Sequence, residues 1–240
     1  MIWYPYEQMK TMRAPYKILD AEGVYLYTQD GPLIDSVSSW WSVIHGYKHP
    51  EMNKAIISQA EKFSHVMLGG LTHEPVLRLA ARLQSWLPGD LDYSFFSDSG
   101  SVGVEVALKM ALQYYMNRGE EKRVMILALE HAYHGDTFKA MEAGDDEDYH
   151  FILKAYGKSR HVLHIPAEIQ ALERAFERYP DCRCVIAANL YGTPAKLDEI
   201  RDICDAHGAV FIEDAAESLS ATYKGRQTGT FGQYNALSFN

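Results

Sequence analysis

An α/β fold with a mainly parallel sheet and helices on both faces is the architecture this sequence predicts. Beyond about residue 45, apolar runs of strand length alternate with amphipathic stretches of helical period. The runs "RVMILALE" and "AVFIEDAA" are apolar at successive positions, which fits strands buried between two helical layers. The chain has 240 residues and is 47% hydrophobic, enough to bury a real core.

Residues 1–45 read as a separate N-terminal segment, rich in Tyr, Trp and Pro, and residues 46–240 as the main domain. "AEGVYLYTQDGPLID" predicts a hairpin: Tyr25, Tyr27 and Ile34 give the alternation and Asp30-Gly31 the turn. Val76, Ala80, Leu83 and Leu87 share one helical face. "YSFFSDSGS" predicts a strand that turns at Ser99-Gly100 into the helix "VGVEVALKMALQYYM". "RVMILALE" follows as a strand, then the weaker "HVLHIP" and the helix "AEIQALERAFERY". "CRCVIAANL" is a strand, and "AKLDEIRDICDAHG" a helix closed by Gly208. "AVFIEDAA" and "YNALSF" complete the set, the latter as a strand over Asn235 to Phe239. The acidic "GDDEDYH" run, Gly144 to His150, reads as a solvated loop.

The net charge of −9 argues against a general nucleic-acid binder, which needs a basic face. Met1 is not followed by a basic and then apolar leader, and no apolar run is long enough to span a bilayer. The odd count of three cysteines predicts reduced thiols and a cytoplasmic protein. Cys182-Arg183-Cys184 could be half a metal site, but two ordinary thiols beside a strand is the better reading, and no metal is predicted.

Three motifs carry chemistry. In "FFSDSGSVGVEVALKM" a strand gives way to a helix, so N–H groups at Gly100 and Ser101 and the Ser101 hydroxyl suit a phosphate. An ordinary Ser N-cap explains the same residues. A serine-hydrolase elbow does not, because G-x-S-x-G is lacking. "EHAYHGDTF" places an aromatic, two histidines and an acid at a strand's C-terminal end, where open α/β sheets bind ligands. His131 and His134 could be metal ligands, yet no third ligand stands at suitable spacing. "AVFIEDAAES" ends a buried strand on Glu213 and Asp214, which is costly unless a cation meets them. One reading is a Walker-B acid served by "YGKS", Tyr156 to Ser159, but a P-loop needs Gly where Ile152 stands. The other is a carboxylate that pairs with a protonated heterocycle in a cofactor.

Together "IWYPYEQM", "SSWWSVIHGYKHP", "SHVMLGGLTHEP", "FFSDSGSVGVEVALKMALQYY" and "YHGDTFKAM" resemble the class III aminotransferases, in particular the biotin-pathway branch that forms 7,8-diaminopelargonate. This resemblance runs from Met1 to about residue 180. From about Cys184, "EDAAES", "GTFG" and "LSF" are instead similar to the DegT-like sugar aminotransferases, which share the fold. The chain therefore reads as a mosaic joined near residues 165–185.

Both resemblances imply the large domain of a pyridoxal-phosphate-dependent transferase, with residues 1–45 contributing part of a smaller domain. The first implies phosphate contacts at Gly100 and Ser101, Tyr133 stacked on the pyridine ring, and Tyr6, Trp40 and Asp136 near the substrate. The second implies Asp214 as partner of the pyridine nitrogen, Glu217 near the ring hydroxyl, and Ser238 as a phosphate contact. The first also implies amino transfer from S-adenosylmethionine to 8-amino-7-oxononanoate, a keto acid. The second implies a nucleotide-linked keto-sugar. A homodimer is expected, with "MLGGLTHEP" near its contacts.

The sequence departs from the family pattern in three places. Tyr4 stands where the biotin branch has His, and Ala132 where it has Gly. No lysine of the chain matches the Schiff-base position, and Lys224 sits in a probable turn. A non-catalytic fragment that binds the cofactor or a partner is therefore a third reading.

Overall fold

The structure is a computed structural model that describes residues 2–145 and 161–239. The run Tyr156 to Ser159, Ile152 and most of the acidic 144–150 stretch lie outside the described residues. Two compact units form, one up to Thr72 and one over His73–Phe239.

In the first unit, β1 (Asp20–Glu22), β2 (Tyr25–Thr28) and β3 (Gly31–Ile34) make an antiparallel meander. Thr28 pairs with Gly31, so the turn is Gln29-Asp30, one residue earlier than Asp30-Gly31. The Thr28 hydroxyl fixes it by donating to the Gly31 carbonyl (2.8 Å) and accepting from Asp30 N–H (3.1 Å). Tyr25, Tyr27 and Ile34 face outward, whereas Leu26 and Leu33 are half-buried. Helix α1 (Pro50–Ala60) starts on a proline, whose fixed φ suits the first turn.

In the second unit, α2 (Glu74–Trp86) turns Val76, Ala80 and Leu83 inward, and Leu87 caps it in an extended conformation. Residues 91–97 form no strand. Among the described residues no neighbouring strand supplies a ladder, and Tyr93 is 97% exposed. Helix α3 (Gly100–Asn117) begins where expected, and the Ser99 hydroxyl accepts from Val102 N–H (3.2 Å). The rest follows in order: β4 (Ile126–Leu129), α4 (Phe138–Ala143), β5 (Val162–Ile165), α5 (Ile169–Arg178), β6 (Cys184–Ala188), α6 (Leu197–Ala206) and β7 (Val210–Asp214). Then come the hairpin β8 (Thr222–Tyr223) and β9 (Arg226–Gln227), and finally β10 (Tyr234–Ala236), shorter than the predicted strand. Lys224 and Gly225, both at positive φ, turn that hairpin.

The five strands order as β10-β7-β6-β4-β5, and every pairing is parallel. Successive residues serve opposite cores. Ile126, Ala128, Cys184, Ile186, Val210 and Ile212 pack with Val104, Leu108 and Ala111 of α3. Leu127, Val185, Ala187 and Phe211 pack with Leu172 and Phe176 of α5 and Leu197, Ile200 and Cys204 of α6. The continuous apolar runs of the sequence reflect this two-sided burial.

Candidate active site

The second unit gathers its polar residues at the C-terminal ends of the parallel strands, the usual ligand edge of an open α/β sheet. Asp214 ends β7 and is 5% exposed. His134, on the loop after β4, has its side chain fully buried and sets Nδ1 2.7 Å from Asp214 Oδ2. The other oxygen, Oδ1, accepts from Ala216 N–H (3.2 Å). His134 Nε2 is buried without a hydrogen-bond partner among the described residues. His134 is thus committed to the carboxylate rather than to a metal shared with His131, which is exposed. Among the described residues no group of three metal-ligating side chains forms.

Asp214 leads directly to the N-terminus of α3. β10 pairs with β7, setting Ala236 beside Asp214, so Ser238 and Ala216 lie just beyond the sheet edge. There they meet Gly100: a Cβ on Gly100 would stand 3.5 Å from Ser238 Oγ and 3.7 Å from Ala216 Cβ. Ser99 satisfies Val102 N–H and Gly103 N–H, while those of Gly100 and Ser101 have no partner among the described residues. An 18-residue helix therefore presents its positive end beside a serine hydroxyl and near a buried carboxylate.

The Tyr133–Asp136 loop is seated on that same helix end. The Ser101 hydroxyl accepts from Asp136 N–H (3.0 Å), and the Tyr133 hydroxyl donates to Asp136 Oδ2 (3.0 Å). Gly135 has φ +111°, and a Cβ there would lie 2.3 Å from Ser101 Oγ, so only glycine fits. Ala132 is buried and has no positive φ, so the methyl at this position costs no backbone strain. Glu217 is exposed, and its carboxylate accepts from Tyr191 N–H (2.8 Å).

Glu213 departs from expectation. It is fully buried, yet the groups that meet it are neutral N–H donors, not a cation. Its Oε1 accepts from Gly229 N–H (2.7 Å) and Asn189 Nδ2 (2.8 Å), and its Oε2 from Phe231 N–H (2.8 Å). These bonds pin the "GTFG" segment to the sheet. Lys224 lies elsewhere, donating to Asp198 (2.6 Å).

Tyr6 and Trp40 belong to the first unit and pair edge-to-face, with ring centroids 5.4 Å apart at 80°. Trp40 lies in an unusual turn: Ser38, Ser39, Trp40 and Trp41 all have φ between +47° and +67°. Left-handed helical residues other than glycine cost about 1–2 kcal/mol each, so this run demands external support.

The positions read from sequence thus fall into two sets. Gly100, Ser101, Tyr133, Asp136, Asp214 and Ser238 converge on the strand ends of the second unit, with Glu217 on the loop after β7. Tyr6 and Trp40 pair in the first unit. Sequence reasoning missed the partnership of His134 with Asp214 and the role of Asn189 beneath Glu213. Both join residues from strands whose order in the sheet had to be known first.

The relatives of the chain point to one family. The family model for aminotransferase class III matches residues 6–218, across the 165–185 region where the sequence reads as a junction. The adenosylmethionine-8-amino-7-oxononanoate aminotransferase of Buchnera aphidicola from Acyrthosiphon pisum is 46% identical over 158 residues, covering 63% of this chain and 37% of that protein. The same-named protein of Buchnera aphidicola from Schizaphis graminum is 37% identical over 235 residues, covering 89% of this chain and 54% of that protein. Among solved structures, the adenosylmethionine-8-amino-7-oxononanoate aminotransferase of Methanocaldococcus jannaschii superposes with a TM-score of 0.81 at 30% identity, over 90% of this chain and 53% of that one. The chain spans about half the length, or less, of these relatives. With nearly all of its sequence matched and its sheet superposed, this chain belongs to the class III aminotransferase family.

Proposed function

We propose that this chain carries the cofactor-binding half of a pyridoxal-phosphate-dependent aminotransferase. Its reaction would be the one named in the relatives, with S-adenosylmethionine as amino donor and 8-amino-7-oxononanoate as acceptor. The observation that carries the reading is the convergence of a buried carboxylate and a long helix's N-terminus at one sheet edge.

The residues present fit the cofactor. Gly100 and Ser101 N–H and the Ser238 hydroxyl would receive its phosphate, which suits a helix N-terminus. Asp214 would accept the pyridinium N–H, and an anionic partner favours that protonated form. Bound there, the cofactor supplies an electron sink for amino-group transfer. His134 holds Asp214 in place through a hydrogen bond at Oδ2, and burial of the pair limits screening of the carboxylate. Tyr133 would cover the ring face, oriented through Asp136, and Glu217 would approach the ring hydroxyl. Tyr6, Trp40 and Asp136 would contact substrate.

By resemblance the working enzyme is a homodimer. Its three buried, unpaired thiols support a reducing compartment such as the cytoplasm. No helix among the described residues is long and apolar enough to cross a membrane.

The test is a titration of the purified protein with pyridoxal phosphate, followed by absorbance, beside amino-transfer assays with the keto acid and with a nucleotide-linked keto-sugar. Saturable binding weakened by Asp214→Ala, with transfer to the keto acid, supports the reading. Transfer to the sugar would move it to the DegT-like reaction. Absence of binding would sink it.

A further inference from the structure

We infer that Asp35 is a positioning residue: with Tyr47 it holds the left-handed Ser38–Trp41 turn that sets Trp40 edge-on to Tyr6. The inference deepens the reading of Tyr6 and Trp40 as substrate contacts, and rests on it for its functional consequence.

Trp40 is 55% exposed and Tyr6 71%, so burial in a core does not fix either ring. The Trp40 ring goes where its backbone turn sends it, and four consecutive residues at positive φ do not hold such a turn by themselves. Backbone bonds supply part of the support, from Trp41 N–H to the Val37 carbonyl (3.1 Å) and from Val43 N–H to Ser38 (3.0 Å).

The Asp35 carboxylate supplies the rest. Its Oδ2 accepts from Ser39 N–H (2.8 Å) and the Tyr47 hydroxyl (2.7 Å). Its Oδ1 accepts from Val37 N–H (3.1 Å). Three donors thus converge on one side chain at the mouth of the loop, and the Ser39 hydroxyl braces them by donating to the Tyr47 hydroxyl (2.5 Å). The hydrogen bond from Tyr47 leads in holding this carboxyl below its ordinary range, so it is anionic when the enzyme works.

The two ends of the loop are themselves anchored. Asp35 N–H donates to Val24 (2.9 Å), and Tyr47 and Gly23 exchange both backbone bonds (2.8 and 3.1 Å). Gly46, at φ +83°, allows this closure, because a Cβ there would press on the Gly23 carbonyl at 3.0 Å. The Asp35–Tyr47 bond crosses this base and ties the loop to the meander. A rigid frame therefore delivers an exposed aromatic pair, an arrangement suited to the apolar chain of a long keto acid.

Three variants in the full protein test this: Asp35→Ala, Tyr47→Phe and Trp40→Phe. Near-ultraviolet circular dichroism reads the aromatic pair directly, and calorimetry reads binding of 8-amino-7-oxononanoate. Alanine removes both acceptor oxygens, so the Val37, Ser39 and Tyr47 donors all lose their partner. Asp35→Ala is expected to remove the near-ultraviolet band that Trp40→Phe removes, and to weaken binding about 10-fold, the scale of one lost aromatic contact. Tyr47→Phe keeps the bonds of Asp35 to Val37 and Ser39 N–H and gives a smaller change of the same kind. It also decides the question if Asp35→Ala fails to fold. An unchanged band in both Asp35→Ala and Tyr47→Phe overturns the inference, whatever the substrate. A lost band with binding unchanged, in Asp35→Ala and Trp40→Phe alike, keeps Asp35 as the support of Trp40 but removes the substrate role from the pair.

Discussion

Asp214 and His134 stand 80 residues apart in the chain and 2.7 Å apart in the fold. One ends β7 and the other follows β4, and β6 lies between those strands in the sheet. Both side chains are almost sealed from water, so the pair is fixed by its own bond and by the packing around it. Asp214→Asn preserves the shape but removes the charge. Its expected effect is weaker pyridoxal-phosphate binding, by about 10-fold or more, since hydrogen bonds to charged groups are worth about 1.5–3 kcal/mol. His134→Gln should cost less, because an amide can still donate to Asp214. Cofactor titrations of the two variants, followed by absorbance, check the order.

Glu213 ties the strand-end edge of the sheet to the loop before β10. Glu213→Ala strands three buried N–H donors. Each unsatisfied group costs about 1–3 kcal/mol, against a typical domain stability of about 5–15 kcal/mol. The variant is expected to unfold at much lower urea, or to fail to accumulate. Glu213→Gln retains one acceptor oxygen and should fall between it and the parent in a urea titration.

Gly135 tests the seat of the His134 loop. Gly135→Ala combines a left-handed φ with a Cβ driven into Ser101. The loop must move, carrying His134 and Asp136 with it. Loss of about 1–3 kcal/mol of unfolding free energy, read by urea titration, is expected from the backbone alone, together with weaker cofactor binding. Normal stability and normal binding would mean that the loop is free of α3.

Tyr115 gives a prediction about pH. Burial raises its hydroxyl from 10.0 to about 12. The hydroxyl donates to the Arg183 and Gly208 carbonyls (3.0 and 2.9 Å), tying α3 to the starts of β6 and β7. A folded value above the unfolded one means that the folded state keeps its proton longer. The contribution is whole below pH 10 and is lost as pH rises toward 12. Tyr115→Phe should therefore be less stable than the parent at pH 8, by about 0.5–1.5 kcal/mol, and the difference should narrow above pH 10. Urea midpoints at pH 8 and pH 11 check it.

Much of the fold is legible in the sequence because strands buried on both faces must be apolar at every position. Leu127 and Ala128 serve opposite cores, as do Val185 and Ile186, and no polar residue can interrupt them. The start of α3 is legible for a related reason, since Ser99 and Gly100 are what a helix N-terminus needs. The run Tyr93 to Ser97 was misleading. It has the composition of a strand, but a strand exists only where a partner offers hydrogen bonds, and composition says nothing about partners.

The sequence by itself determined the layered α/β architecture, the family motifs and the residues that carry charge at the strand ends. The tertiary structure decided which of those charges meet. Glu213 and Asp214 are neighbours in the chain, yet the pleat sends them to opposite sides of the sheet. One binds three N–H groups and locks a loop, while the other meets His134 beside the end of α3. Likewise Asp35 and Tyr47 become partners only when the loop between them closes on the meander. Periodicity and burial are local demands written residue by residue, whereas hydrogen-bond partners across a sheet depend on strand order, which only the folded chain supplies.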